Sequence, residues 1–175
     1  MLKYLVAEFV IAPADIDETI RLNESPRDYV IRMAREKAEA GFEQAGHTAA
    51  TLGSDTTVVL GDEVLGKPVS REDACQMLGR LSGQTHHVYS AVALKLSSGE
   101  LLETINISAV TFGEMPINWI ENYCQSDEPM DKAGAYAVQG QTAQYIQRID
   151  GSYTGVMGLP LFETAALFRQ AGLLA

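Results

Sequence analysis

Two long runs of alternating apolar residues, His86 to Leu96 and Leu101 to Phe112, flank the short polar turn Ser97-Ser98-Gly99-Glu100. That pattern predicts a long antiparallel hairpin, because a side-chain period of two puts one face of each run on a core. A two-stranded hairpin cannot bury an apolar face by itself, so the rest of the chain has to supply partners for it.

The partners announce themselves as helix starts. Ser25-Pro26-Arg27-Asp28 combines an N-cap Ser, Pro at the first helical position and a carboxylate three residues on. Tyr29, Val30, Met33, Ala34, Ala38 and Phe42 then recur at three and four, which predicts an amphipathic helix to about Ala45. Arg32, Arg35 and Glu39 fall away from that stripe. Ser70-Arg71-Glu72-Asp73 opens a second helix through Met77, Leu78 and Leu81, closed by Gly83. Pro116 starts a third and Pro160 a last, each followed by apolar residues at helical spacing. Short strands from Thr56 to Leu60 and from Glu63 to Leu65 flank Gly61-Asp62, and Ala143 to Ile149 reads as one more. Hairpins and crossovers alternate irregularly, which predicts an α/β fold: a mixed central sheet with helices packed on it.

At 175 residues, with no repeat or long Pro/Gly linker, the chain reads as one domain over 1–175. Apolar residues are 46% and charged ones 21%, an ordinary globular mix. Thirteen Lys and Arg against 23 Asp and Glu give a net charge of -10. No basic stripe offers itself to a nucleic-acid backbone, so nucleic acid is not an expected partner. No apolar run approaches the roughly 18 residues of a membrane span, and Lys3, Glu8 and Pro13 break the opening MLKYLVAEFV as a secretory leader. Cys75 and Cys124 sit 49 residues apart with no CxxC or nearby His. They read as reduced, buried thiols of a cytoplasmic protein.

Three polar segments stand out. Lys37 follows Met33 by one turn, close to the buried stripe of its helix. Gly53-Ser54-Asp55-Thr56-Thr57 places a carboxylate where a loop enters an apolar strand, and Gly66-Lys67-Pro68 places a cation just after a hairpin. Singly, Lys37 can snorkel to solvent, Asp55 can serve a turn and Lys67 can end a hairpin. Together, a carboxylate between two lysines is the minimum set for phosphoryl chemistry, and spacing alone does not decide between these readings. His86 and His87 read as one buried and one exposed residue, and Trp119 with Tyr123 as core or an interface face.

In order along the chain, Asp15-Ile16-Asp17-Glu18, Glu24-Ser25-Pro26, Ala34-Arg35-Glu36-Lys37-Ala38 and Gly53-Ser54-Asp55-Thr56 resemble the Maf family of nucleoside triphosphate pyrophosphatases. The resemblance continues through Gly66-Lys67-Pro68, Leu81-Ser82-Gly83-Gln84-Thr85-His86, Asp131-Lys132-Ala133-Gly134-Ala135-Tyr136, Gln139-Gly140 and Gly151-Ser152-Tyr153 to Gly158-Leu159-Pro160. It implies an elongated sheet with a cleft, and hydrolysis of a nucleoside triphosphate to the monophosphate and pyrophosphate with a divalent metal, Mg or Mn. It also implies a link to septum formation arrest, and a homodimer is a family expectation. Asp55 matches the family's catalytic Asp, Lys37 and Lys67 its phosphate-binding lysines, and Glu18 an acidic residue near the metal. Thr56 and Gln139 resemble the branch that acts on dTTP and UTP.

The residues leave two roles open for Asp55. An ordinary Asp is ionised at neutral pH and a weak base, so metal ligation and general-base catalysis both suit it. Gln139 offers a donor and an acceptor in a fixed pair, as pyrimidine selection requires. One departure matters: family members begin with a strand and a Ser-x-Ser-Pro-Arg-Arg loop, whereas Met1-Leu2-Lys3-Tyr4-Leu5 aligns inside the first helix. Such a loop would cradle a triphosphate, so weak turnover that rises when the loop is restored is the expectation. The alternatives are a non-catalytic nucleotide-binding protein in cell-division control and a triphosphatase of the inosine type.

Overall fold

The computed structural model describes residues 1–174. The helix start at Ser25 is realised as α1 (Pro26–Gln44), whose N-cap hydroxyl accepts from the Asp28 amide. Strands β1 (Thr51–Leu60) and β2 (Glu63–Leu65) form the short hairpin, and α2 (Arg71–Leu81) follows, capped by Ser70. The long hairpin is β3 (Thr85–Lys95) and β4 (Leu101–Phe112), paired in register from Thr85–Thr111 to Lys95–Leu101. Then come α3 (Ile117–Tyr123), β5 (Ile146–Asp150), the single turn α4 (Tyr153–Val156) and α5 (Leu161–Gln170).

The strands make one five-stranded sheet in the order β2-β1-β3-β4-β5. The α/β sheet with helices on it stands, and every pairing in it is antiparallel where the alternation of elements suggested a mixed one. The reason is where α2 delivers the chain. Strands β2 and β3 run the same way, as a helical crossover demands, but β1 lies between them, so they never pair.

Residue parity divides the sheet into two faces. Helix α1 covers one, packing Val30, Ala34 and Ala38 on Ala91 and Ala93. The approach is close at Gly53, where a Cβ would run into the Ala34 carbonyl and the Ala38 amide. The other face carries Val58, Val88, Val110 and Phe112 under α2 and α3, and Val92 and Leu94 under α5. Cys124 is buried and Cys75 partly so, and both are free thiols. Trp119 stacks on Tyr123 at 5.1 Å and belongs to this core. His86 is buried and His87 exposed.

Two other differences from expectation are local. The strand expected over Ala143 to Ile149 begins only at Ile146, the residues before it forming the 3-10 helix Gln141–Tyr145, because β4 is irregular at Thr111/Phe112 and offers β5 a regular partner only beyond it. The opening residues give one 3-10 turn, Leu2–Tyr4, and no helix: a few residues of isolated helix do not hold in water. Residues 7–21 have no regular structure.

Candidate active site

The shortness of β2 leaves an open edge on the sheet. Strand β1 pairs with β3 over Thr51–Val59, but with β2 only over Val58–Leu60. Below Val58 its outer edge bears no strand among the described residues, and there a cleft of about 470 Å³ opens. Because the edge is open, side chains from both faces of β1 reach the same cleft. Asp55 pairs in register with Ala91, on the α1 face, and Thr56 with Ser90, on the opposite face. Both line the cleft.

On the α1 side the charges converge. Lys37 Nζ lies 2.7 Å from Asp55 Oδ1 and 2.7 Å from Glu18 Oε1. Glu18 belongs to the irregular N-terminal segment, which is tied down on α1. Arg32 donates to the Thr19 carbonyl at 3.0 Å and pairs with Glu24 at 2.6 Å, while the Tyr29 hydroxyl donates to the Glu18 carbonyl at 3.1 Å. Burial raises the Asp55 carboxyl above its ordinary pKa, against the hydrogen bond and charge of Lys37. The negative charge of Glu18 adds to that rise. Glu18 itself is lowered by its hydrogen bond to Lys37, and the Lys37 ammonium is held above its ordinary value because its two carboxylates outweigh its burial.

The far wall comes from β2 and the segment after α3. Gly66 at the end of β2 accepts from the Gly134 amide at 3.0 Å, which sets Lys67 beside Asp131 and Lys132 at the cleft. Gly134 has φ 67 and lies against Val58, so only glycine fits both the left-handed backbone and the space. Asp131 is ion-paired with Lys132. Tyr136 closes the cleft floor, its hydroxyl 2.7 Å from His86 Nε2. The remaining wall is Val156 to Gly158, the turn after α4.

Glu18, Lys37, Asp55, Thr56 and Lys67 therefore meet in one cleft. Gln139 does not line it and is exposed. The two carboxylates suit a hard divalent ion that takes its other ligands from water and phosphate, as Mg²⁺ usually does. Among the described residues, no three His, Cys, Asp or Glu side chains gather to hold a metal alone.

The sequence is matched by the family of Maf-like proteins over residues 1–171. The chain belongs to that family. It is 47% identical to the dTTP/UTP pyrophosphatase of Hahella chejuensis over 175 residues, covering 99% of this chain and 87% of that one. It is 48% identical to the dTTP/UTP pyrophosphatase of Cupriavidus metallidurans over 95% of this chain and 86% of the relative. A nucleoside triphosphate pyrophosphatase of Xylella fastidiosa is 44% identical over 95% and 89%. For a Maf-like protein, the sequence motifs flagged the charged half of the cleft and left Tyr29 and Ser90 unmarked. A signal for Ser90 existed: a small hydroxyl interrupts the apolar, inward-facing series Val88, Ser90, Val92. Among the described residues no helix is long and apolar enough to cross a membrane.

Proposed function

We propose that the chain hydrolyses dTTP and UTP to the monophosphate and pyrophosphate. The observation that carries the reading is the half-buried Asp55 joined through Lys37 to Glu18, in a cleft with Lys67 and Lys132 on its far wall. Relatives 47–49% identical bear the name dTTP/UTP pyrophosphatase, which supports the choice of substrate. The triphosphate lies along the lysines, whose charge offsets the negative charge that grows on the departing pyrophosphate. Asp55 orients a water toward the α-phosphorus and takes its proton. Glu18 and Asp55 would hold a magnesium or manganese ion that adds positive charge at the phosphates. Tyr29, through the Glu18 backbone, and Arg32, through Thr19 and Glu24, keep the irregular segment in place. Free Cys75 and Cys124 are in keeping with work in the reducing cytoplasm.

Incubation with UTP and Mg²⁺ tests the reading by its products. UMP and pyrophosphate in equal amounts are expected from the wild-type chain, and at least about 100-fold less from Asp55→Asn. UDP with inorganic phosphate, or no turnover at all, would overturn it.

A further inference from the structure

Opposite the charged cluster, three hydroxyls on the other face of the sheet hold the Val156 to Gly158 wall. Ser90 Oγ lies 2.7 Å from the Gly155 carbonyl oxygen, and Thr56 Oγ1 lies 2.8 Å from Ser90 Oγ and 3.3 Å from the Gly158 carbonyl. Ser54 Oγ lies 3.1 Å from the same Gly158 carbonyl and 3.1 Å from that of Ala91. Proton counting gives the direction of this chain. Two oxygens 2.7 Å apart need a proton between them, and a carbonyl has none, so Ser90 donates to Gly155. The proton in the 2.8 Å contact then has to come from Thr56. Its only other protein acceptor in this group is the Gly158 carbonyl, so by either route the Thr56 proton is committed to the protein.

We propose that Ser90 is a positioning residue for substrate selection: by taking up the Thr56 hydroxyl proton, it presents Thr56 to the cleft as a hydrogen-bond acceptor that reads an N–H on the ligand. The inference rests on the pyrimidine triphosphate reading and gives it a chemical basis. Uracil and thymine carry an N–H at ring position 3, where cytosine has a bare acceptor nitrogen. An acceptor fixed at Thr56 therefore matches the first two bases and repels the lone pair of the third. Ser90 is wholly buried and does not line the cleft; it acts through Thr56 and through the Gly155 anchor of the wall.

The test is the ratio of kcat/KM for UTP over CTP in the wild type, Ser90→Ala and Ser90→Cys, with melting temperatures as a folding control. In Ser90→Ala the Thr56 hydroxyl keeps only the longer route to Gly158, shared with Ser54, and can turn its proton toward the cleft. The ratio is expected to fall about fivefold to tenfold, by loss on UTP and gain on CTP, the range of one discriminating hydrogen bond. Ser90→Cys, a weak acceptor and donor of similar size, should restore part of the ratio. Should Ser90→Ala fail to fold, Ser90→Cys alone decides, with a smaller fall expected in the same direction. An equal loss on both nucleotides, or an unchanged ratio in a folded variant, overturns the role of Ser90 while leaving the pyrophosphatase reading intact. A wild-type chain that turns over both nucleotides alike overturns the role of Ser90 alone, whereas one that turns over neither overturns that reading and the role of Ser90 with it.

Discussion

Neighbouring residues on β1 do opposite kinds of work. Asp55 faces α1 and sits among charges, bonded to Lys37 and near Glu18. Thr56 faces the other way and sits among hydroxyls and carbonyls, against Ser90 and Gly158. In the middle of a sheet these two environments would be separated by the sheet itself. At the unpaired outer edge of β1 they open into one cleft. One strand can thereby serve two ends of a ligand: the charged face suits the phosphates, and the neutral face suits a base that has to be told from its isosteres. Fixed hydroxyls cost little to bury because each finds a partner, whereas the clustered charges depend on one another.

The largest effects should come from the charged face. Asp55→Asn is expected to lower UTP turnover by about 1000-fold, as loss of a general base does, while nucleotide affinity without divalent metal changes little; steady-state kinetics with Mg²⁺ beside equilibrium binding in EDTA checks this. Lys37→Ala should cost about 100-fold and raise KM as well, because it leaves Asp55 and Glu18 facing each other without their shared cation. Equal effects on binding and turnover from both variants would break the assignment of Asp55 to the water and of Lys37 to the phosphates.

Acid separates the faces by pH window. His86 lies on the hydroxyl face, and burial, with a smaller push from His87, lowers its pKa to about 4. A histidine lowered in the folded state contributes stability above its unfolded pKa and loses it as pH falls. About 3 kcal/mol should therefore be lost between pH 6.5 and 4, and His86→Gln should flatten that part of the curve. On the α1 face the Arg32 hydrogen bond lowers Glu24 to about 2. Its contribution is present above the ordinary carboxylate range and goes as pH falls from about 4.5 toward 2. The pair is bidentate and both side chains keep only about a tenth of their surface exposed, so its loss exceeds that of a solvated surface bridge. Urea denaturation from pH 7 to 2.5, for the wild type, His86→Gln and Glu24→Gln, resolves the two windows.

Much of this was legible in the sequence because its signals are local. Ser25 and Ser70 cap their helices by contacts within three residues, and the β3–β4 hairpin is written in its own alternation. The sequence pattern starts strand β1 at Thr56, yet the strand begins at Thr51. Gly53 and Asp55 are poor strand formers, and the close packing of α1 on Gly53 overrides their propensity. The antiparallel sheet was hidden for a similar reason, since it depends on which side of β1 the chain returns to after α2. Within the site, Glu18, Lys37, Asp55, Thr56 and Lys67 were found from motifs. The Ser90 contact to Gly155 spans 65 residues, and no local pattern carries a pairing made only when β3 and α4 meet.

The division between the two faces of β1 is tested most directly by one comparison: kcat/KM for UTP and CTP in the wild type, Asp55→Asn and Thr56→Val. Asp55→Asn should lower both values by a similar large factor and leave their ratio alone. Thr56→Val, which keeps the shape and removes the acceptor, should lower the UTP value and bring the ratio down about tenfold. The account is contradicted if Thr56→Val lowers both nucleotides equally, or if Asp55→Asn changes the ratio while turnover persists.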